Sequence, residues 1–433
     1  MLGIFEKYYN LYSWFPRMEK TTFDVSLVHF LLMFGYKLFS LYYPLFLISI
    51  GFSILNIGSI YLLTYSVIAI SSVIINFYIH RFNPSKIAAL GIFGYGIFAL
   101  LMIISHNLMV FYIAQIILGF SAAAWLVSLK LILMKAKTQS KNRSFGWFYS
   151  MPHYAAAVAP AIGGLIIWKF GFIGVFTLSV LIQFANAFYA YKKLNGKSHC
   201  WLHSPDRAVE PIAQKGSTLT HPLPLSRGDS PQWSQRIRKN YSEILKIIRS
   251  DKAFISILIS LFFVLILGGI YRAFFILFLK DMSFSQEEII KFIILASVAY
   301  FPLSVLVIKI IEKLKSRKII SGGILVEGTA TIVFGIFANI MNLFGLFMIM
   351  IIDSLGALAL GSGKSALLSK KLKNYKEEAS TIDTVLTTLG PAIGAFVGGI
   401  AISYIGFGNT FLFAGIIVFV MGIASYSFKL NGH

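Results

Sequence analysis

Ionisable side chains inside apolar stretches are the residues most able to do chemistry in this sequence. A charge at the centre of a membrane-spanning helix costs about 3 kcal/mol or more, so each such residue is a candidate for function. Lys37 and Arg272 each follow a tyrosine, Tyr36 and Tyr271, and the two pairs stand 235 residues apart. Two cations facing one another would clamp an anion, with arginine offering a planar fork to a carboxylate or phosphate. Asp353 and Glu327 lie in the middle of other apolar stretches, where a carboxyl group can carry a proton. His153, beside Pro152, adds an imidazole able to exchange protons near neutral pH. Lys130 and Lys364 lie about one turn from the ends of their stretches and read as snorkelling to water, as do Lys291 and Lys309.

Composition identifies what must hold these residues. Of 433 residues, 57% are hydrophobic and 13% charged, and the mean hydropathy is +0.77. Soluble domains carry about 25% charged residues. A soluble enzyme, a disordered chain and a nucleic-acid binder are therefore excluded, despite a net charge of +21. A single cysteine excludes a disulfide framework and a multi-cysteine metal site. No cleavable signal pattern opens the chain.

A spanning helix needs roughly 20 mostly apolar residues. About twelve such stretches are expected, near 22–48, 54–79, 86–105, 108–134, 144–168 and 171–191, then near 253–279, 287–311, 318–339, 342–368, 379–404 and 408–428. Tyr42, Tyr43, Trp168 and Tyr404 suit the membrane–water interface. Basic residues crowd the ends shared with both termini and with the central linker, whereas the opposite turns hold only Lys169 and Lys280. By the positive-inside rule both termini are expected to be cytoplasmic. Residues 1–21 are too polar to span, and their aromatic spacing suits an interfacial helix or a frayed tail. A bundle over 22–192 is then followed by a linker over 193–252 and a second bundle over 253–433.

The two halves repeat. IGGLIIWKFGF at 162–172 aligns without a gap on VGGIAISYIGF at 397–407. Upstream, Ala155, Ala159 and Gly163 align on Gly390, Gly394 and Gly398, small residues at every fourth position that let helices approach closely. Six spans per half make this a parallel repeat, whose halves would rock about a shared cleft. The linker holds five of the twelve prolines and reads as disordered from Ser198 to Gln235. From Arg236 to Ser250 helical spacing returns, with a basic side suited to the inner leaflet. His199, Cys200 and His203 form half a metal site at most, and no phosphate-binding loop is present, so no cofactor and no ATP-driven machinery is expected.

These residues resemble the major facilitator superfamily over almost the whole chain outside the linker. The loop after the second span keeps Arg81 of the family's acidic–basic signature but has His80 and Asn83 where an acid and a glycine stand. Its second copy keeps Glu312, Lys313 and Arg317. Ala159, Pro160, Gly163 and Gly164 look like the family's G-P-x-x-G-G motif in span 5, with Gly390, Pro391 and Gly394 as the counterpart. The resemblance implies an all-α membrane protein with twelve transmembrane helices in two six-helix bundles. It also implies that spans 1 and 7 line a central cavity, that span 10 reaches it, and that the signature loops gate the inner side. The expectation is a monomeric secondary active transporter in a plasma membrane, such as a bacterial or archaeal inner membrane. It would move a small solute by alternating access, with a proton as coupling ion and a preference for an anion. Proton-driven drug efflux, which the span-5 motif favours, and a non-transporting membrane sensor are the alternatives.

Overall fold

The computed structural model describes residues 18–52, 54–79, 82–104, 108–202, 230–337, 340 and 343–427. The expected interfacial segment over 1–21 therefore falls almost wholly outside them, and so does Arg81. No strand occurs among the described residues. This is what a bilayer demands, because a helix satisfies its own backbone hydrogen bonds where water is absent.

In chain order the elements are α1 (Lys20–Ser40), α2 (Tyr43–Ser49), α3 (Ile54–Ile79), α4 (Pro84–Ile104), α5 (Leu108–Lys135), α6 (Lys141–Leu202), α7 (Ser230–Ser250), α8 (Lys252–Asp281), α9 (Gln286–Lys313), α10 (Ser316–Phe337), α11 (Leu343–Lys371) and α12 (Lys376–Ser427). Ten of them are long and apolar enough to cross a membrane. Local chemistry sets several starts. Pro84 opens α4 with Asn83 Oδ1 accepting from the Ser85 amide at 2.9 Å. Ser285 and Glu288 cap α9 reciprocally.

Helices α6 and α12 contain 62 and 52 residues. At roughly 1.5 Å per residue either is more than twice the ~30 Å hydrocarbon thickness. Each is broken at one glycine with positive φ, Gly171 (65°) and Gly406 (76°), which occupy the same repeat position. Their arms match the stretches expected near 144–168 and 171–191, and near 379–404 and 408–428. Trp168 and Tyr404, 79% and 85% exposed, flank these corners as interfacial aromatics do.

Within the N-terminal half α1 packs along α6, and within the C-terminal half α8 packs along α12. Between halves, α3 meets α12 and α6 meets α9, the symmetric pairing that a parallel repeat requires. Helix α7 lies at one end of the molecule, called here the linker face. It starts at Ser230, and α6 runs on to Leu202, so helix extends into both ends of the 198–235 stretch that composition reads as disordered. Adjacent residues of α7 reach opposite halves: Asn76 Nδ2 donates to the Tyr241 hydroxyl at 3.2 Å, and Asn240 Nδ2 donates to Glu378 at 2.8 Å. Ile244 anchors the helix in the core at 1% exposure.

Candidate functional site

The repeat-related pairs sit on the long helices α1 and α8. Lys37 is half-buried and Arg272 exposed, although both lie within spans. Arg272 is close enough for its charge to act on Lys37, and both cations act on His153 of α6. The His153 ring stacks on Tyr300 of α9 with centroids 4.2 Å apart, and Tyr154 hydrogen bonds Ser304 at 2.6 Å, so this group sits on the seam between halves.

Arg272 also reaches Glu327 of α10 and Asp353 of α11. The two carboxyl groups lie within electrostatic reach of one another. Glu327 is 5% exposed, and a Cβ at Gly356 would come within 3.1 Å of its Cγ, so that glycine makes its room. The Tyr271 hydroxyl donates to Thr331 at 3.4 Å, and Thr331 donates to the Glu327 carbonyl at 2.8 Å. Lys37, His153, Arg272, Tyr271, Glu327 and Asp353 thus form one polar group drawn from five helices.

Tyr36 faces a cluster that spacing along the chain did not reveal. Tyr43, Tyr61, Tyr65 and Tyr95 all lie within electrostatic reach of it, and the Tyr36 and Tyr95 rings meet edge-on at 5.8 Å. Gln115 Nε2 donates to the Tyr43 hydroxyl at 2.6 Å, and Thr64 donates to Gln115 Oε1 at 3.1 Å. Asn186 donates to the Val28 carbonyl at 3.0 Å.

Lys130 and Lys364 do not snorkel. They are 0% and 3% exposed and converge on Asp383 of α12, itself wholly buried. Lys364 Nζ lies 2.6 Å from Asp383 Oδ1 and Lys130 Nζ lies 3.5 Å from Oδ2. Ser365 donates to Oδ2, the Tyr149 hydroxyl donates to Ser365 at 2.8 Å, and Thr387 accepts from Lys364 at 2.5 Å. Burial between halves leaves no route to water, so the lysines bond to the carboxylate instead. Asp383 escapes hydropathy reasoning because it lies close to the start of its span. A signal was available: with 17 Asp and Glu against 38 Lys and Arg, an acid at the edge of an apolar run is a candidate counterion for a buried cation.

Nearer the linker face, Arg143 of α6 is 5% exposed and bonds Glu312 at 2.6 Å and Glu19 at 2.5 Å. Burial pushes the Glu19 carboxyl up, but backbone hydrogen bonds and Arg143 outweigh it and hold it below its usual range. Lys135 pairs with Glu377 across the halves, and Asn142 Nδ2 donates to the Ile311 and Leu314 carbonyls at 3.2 and 3.0 Å. Of the second signature loop, Glu312 joins this seam, Arg317 bonds Asp251 at 2.6 Å, and Lys313 points to solvent. Lys371 bonds the same oxygen of Asp251 at 2.6 Å. The halves are therefore closed against one another on the linker face.

The small residues bring α1 into backbone contact with α6, and α8 with α12. Ala155 and Ala159 are wholly buried, and a Cβ at Gly163 would collide with the Leu38 carbonyl. At Gly164 it would lie 2.5 Å from the Tyr42 hydroxyl, which donates to the Pro160 carbonyl at 2.9 Å. In the other half a Cβ at Gly394 would collide with the Ile266 carbonyl, and one at Gly269 with the Pro391 carbonyl. Gly390 and Gly398 rest on Leu265 and Ile270 at 2.6 and 2.8 Å from such a Cβ. Among the described residues no group of three or more His, Cys, Asp or Glu could hold a metal, and His203 lies outside them.

Two helical halves in symmetric contact, closed at one end around buried charges, define a polytopic membrane carrier. The family model of the Major Facilitator Superfamily matches residues 25–382, and the chain belongs to that family. No curated protein matches the sequence at a significant level. Among solved structures, the human organic anion transporter MFSD10 (TETRAN) is similar at 12% identity and TM-score 0.67, over 94% of this chain and 100% of that one. A POT family transporter in complex with a thioalcohol-conjugated peptide is similar at 15% identity and TM-score 0.68, over 95% and 96%. A POT family transporter with 5-aminolevulinic acid has TM-score 0.67 at 15% identity, again over 95% and 96%. At such identities the likeness concerns the fold. The protein is an all-α, multi-pass membrane protein of a secondary-transporter family.

Proposed function

We propose that the protein is a proton-coupled carrier of a small organic anion. The observation that carries this reading is the position of Arg272, within electrostatic reach of Lys37 on one side and of the Glu327–Asp353 carboxyl pair on the other. Lys37 and Arg272 hold the anionic group, with Tyr36, Tyr271 and His153 around it. Arg272 helps to stabilise a negative charge on the carboxyl pair. An anion bound to Arg272 takes up that influence, so anion binding and proton binding support each other, which is the logic of symport. Drug efflux fits less well, because two central cations repel cationic drugs. Closure of the linker face then represents one end of an alternating-access cycle. The basic ends at that face favour a cytoplasmic orientation in a plasma membrane. The organic anion transporter among the similar structures agrees with this substrate class.

The test is transport by the purified protein in liposomes. Arg272→Ala and Lys37→Ala are expected to abolish both exchange and proton-driven uptake of anions. Glu327→Gln is expected to abolish proton-driven accumulation while leaving anion exchange in place. Full uptake by Arg272→Ala overturns the reading.

A further inference from the structure

The repeat-related tyrosines Tyr36 and Tyr271 stand in contrasting surroundings. The Tyr271 hydroxyl is committed to Thr331, and its ring packs among Phe275, Phe334 and Phe411 with centroids 6.0, 5.8 and 4.8 Å away. Around Tyr36 the neighbours are tyrosines. Tyr61 and Tyr65 of α3 stack on each other at 6.3 Å, and these two and Tyr36 are only half-buried. Tyr43 and Tyr95 stand behind them at 7% exposure. The Tyr43 hydroxyl is fixed by Gln115, whereas those of Tyr36, Tyr61 and Tyr65 make no hydrogen bond to any described residue. Hydroxyl groups held in a membrane interior without partners lose free energy unless water or a ligand supplies the bonds. Aromatic faces and edges gathered with free hydroxyls suit a flat ring bearing polar substituents.

The geometry points to a ring subsite beside the cation pair: the transported anion is an aryl carboxylate. Its carboxylate lies on Lys37 and Arg272. Its ring lies in the N-terminal half against Tyr36, Tyr61 and Tyr65. A ring hydroxyl exchanges hydrogen bonds with the free tyrosine hydroxyls. The C-terminal half contributes the arginine and the proton-carrying pair but no second ring site, because its equivalent position is filled with phenylalanine. This inference rests on the reading of Lys37 and Arg272 as an anion clamp, and it adds the shape and polarity of the rest of the ligand.

The experiment uses the full-length purified protein and measures binding of 4-hydroxybenzoate, benzoate, cyclohexanecarboxylate and acetate by calorimetry. The wild type is expected to bind 4-hydroxybenzoate at least ~10-fold more tightly than cyclohexanecarboxylate, since a site built to hydrogen bond a ligand rejects analogues that lack the group. The Tyr61→Phe/Tyr65→Phe variant, which keeps the rings, is expected to bind benzoate as the wild type does and to lose the advantage of the ring hydroxyl. Equal affinity for the aryl and cyclohexyl acids, or an unchanged hydroxyl preference in the double variant, overturns the ring subsite while leaving the anion clamp intact. Absence of binding for all four carboxylates overturns the clamp and the subsite together.

Discussion

Lys130 of the N-terminal half and Asp383 of the C-terminal half meet at 3.5 Å where neither side chain is exposed. Lys364 holds the other oxygen of Asp383 from within the same half. Separation of the halves at this point breaks the bonds of Lys130 and preserves those of Lys364. The triad therefore contains one permanent pair and one cross-half partner.

Removing the shared carboxylate leaves two buried cations without a counterion. Asp383→Asn is expected to lower stability by about 3–5 kcal/mol, as breaking a buried ion pair does. Thermal unfolding in detergent measures the loss. Lys130→Met in the Asp383→Asn background is expected to recover part of it, and no recovery would show that the lysine is not strained by the missing charge.

Acid sensitivity is expected at Asp251, between α7 and α8. Burial pushes its carboxyl up, but the Lys371 hydrogen bond, the Phe254 amide and Arg317 outweigh burial and hold it below 3.8, its ordinary value. A depressed carboxyl stabilises the fold fully above its unfolded value and loses that contribution as the pH falls through the lower folded value. Asp251→Asn is thus expected to reduce stability near pH 7 by at most about 1 kcal/mol, because its cationic partners are about one-third exposed. Unfolding curves of variant and wild type should converge as the pH drops well below 3.8.

Glycine positions separate close packing from mere helix propensity. Gly394→Ala drives a methyl group into the Ile266 carbonyl and is expected to cost about 1–3 kcal/mol. Gly268→Ala meets nothing within 4 Å and lies inside a helix, so it is expected to be neutral or stabilising by up to about 1 kcal/mol. Melting temperatures of the two variants decide the matter, and equal effects would contradict the backbone contact.

Much of this architecture is legible in the sequence because the repeat is written in residues whose physics is local. Gly171 and Gly406 announce a position that needs positive φ, and the structure gives both that conformation. The repeat offset pairs Lys37 with Arg272, and the Arg272 charge acts on Lys37. Which way a side chain faces is not local. The lysines at 130 and 364 lie near helix ends, where escape to water is the ordinary outcome, and only the approach of α12 seals that route. The tyrosine cluster draws on four separate helices, α1 to α4, so no spacing along any one of them displays it.

The single-residue corners at Gly171 and Gly406 leave the two arms of α6, and of α12, joined with no slack. Such a hairpin cannot open at its tip, so its mechanical compliance must lie within the arms. Pro160 and Pro391 occupy the arms that precede the corners, where a missing amide bond softens bending. Each of these proline-bearing arms also carries contacts to the opposite half, so flexure there is transmitted directly to the seam.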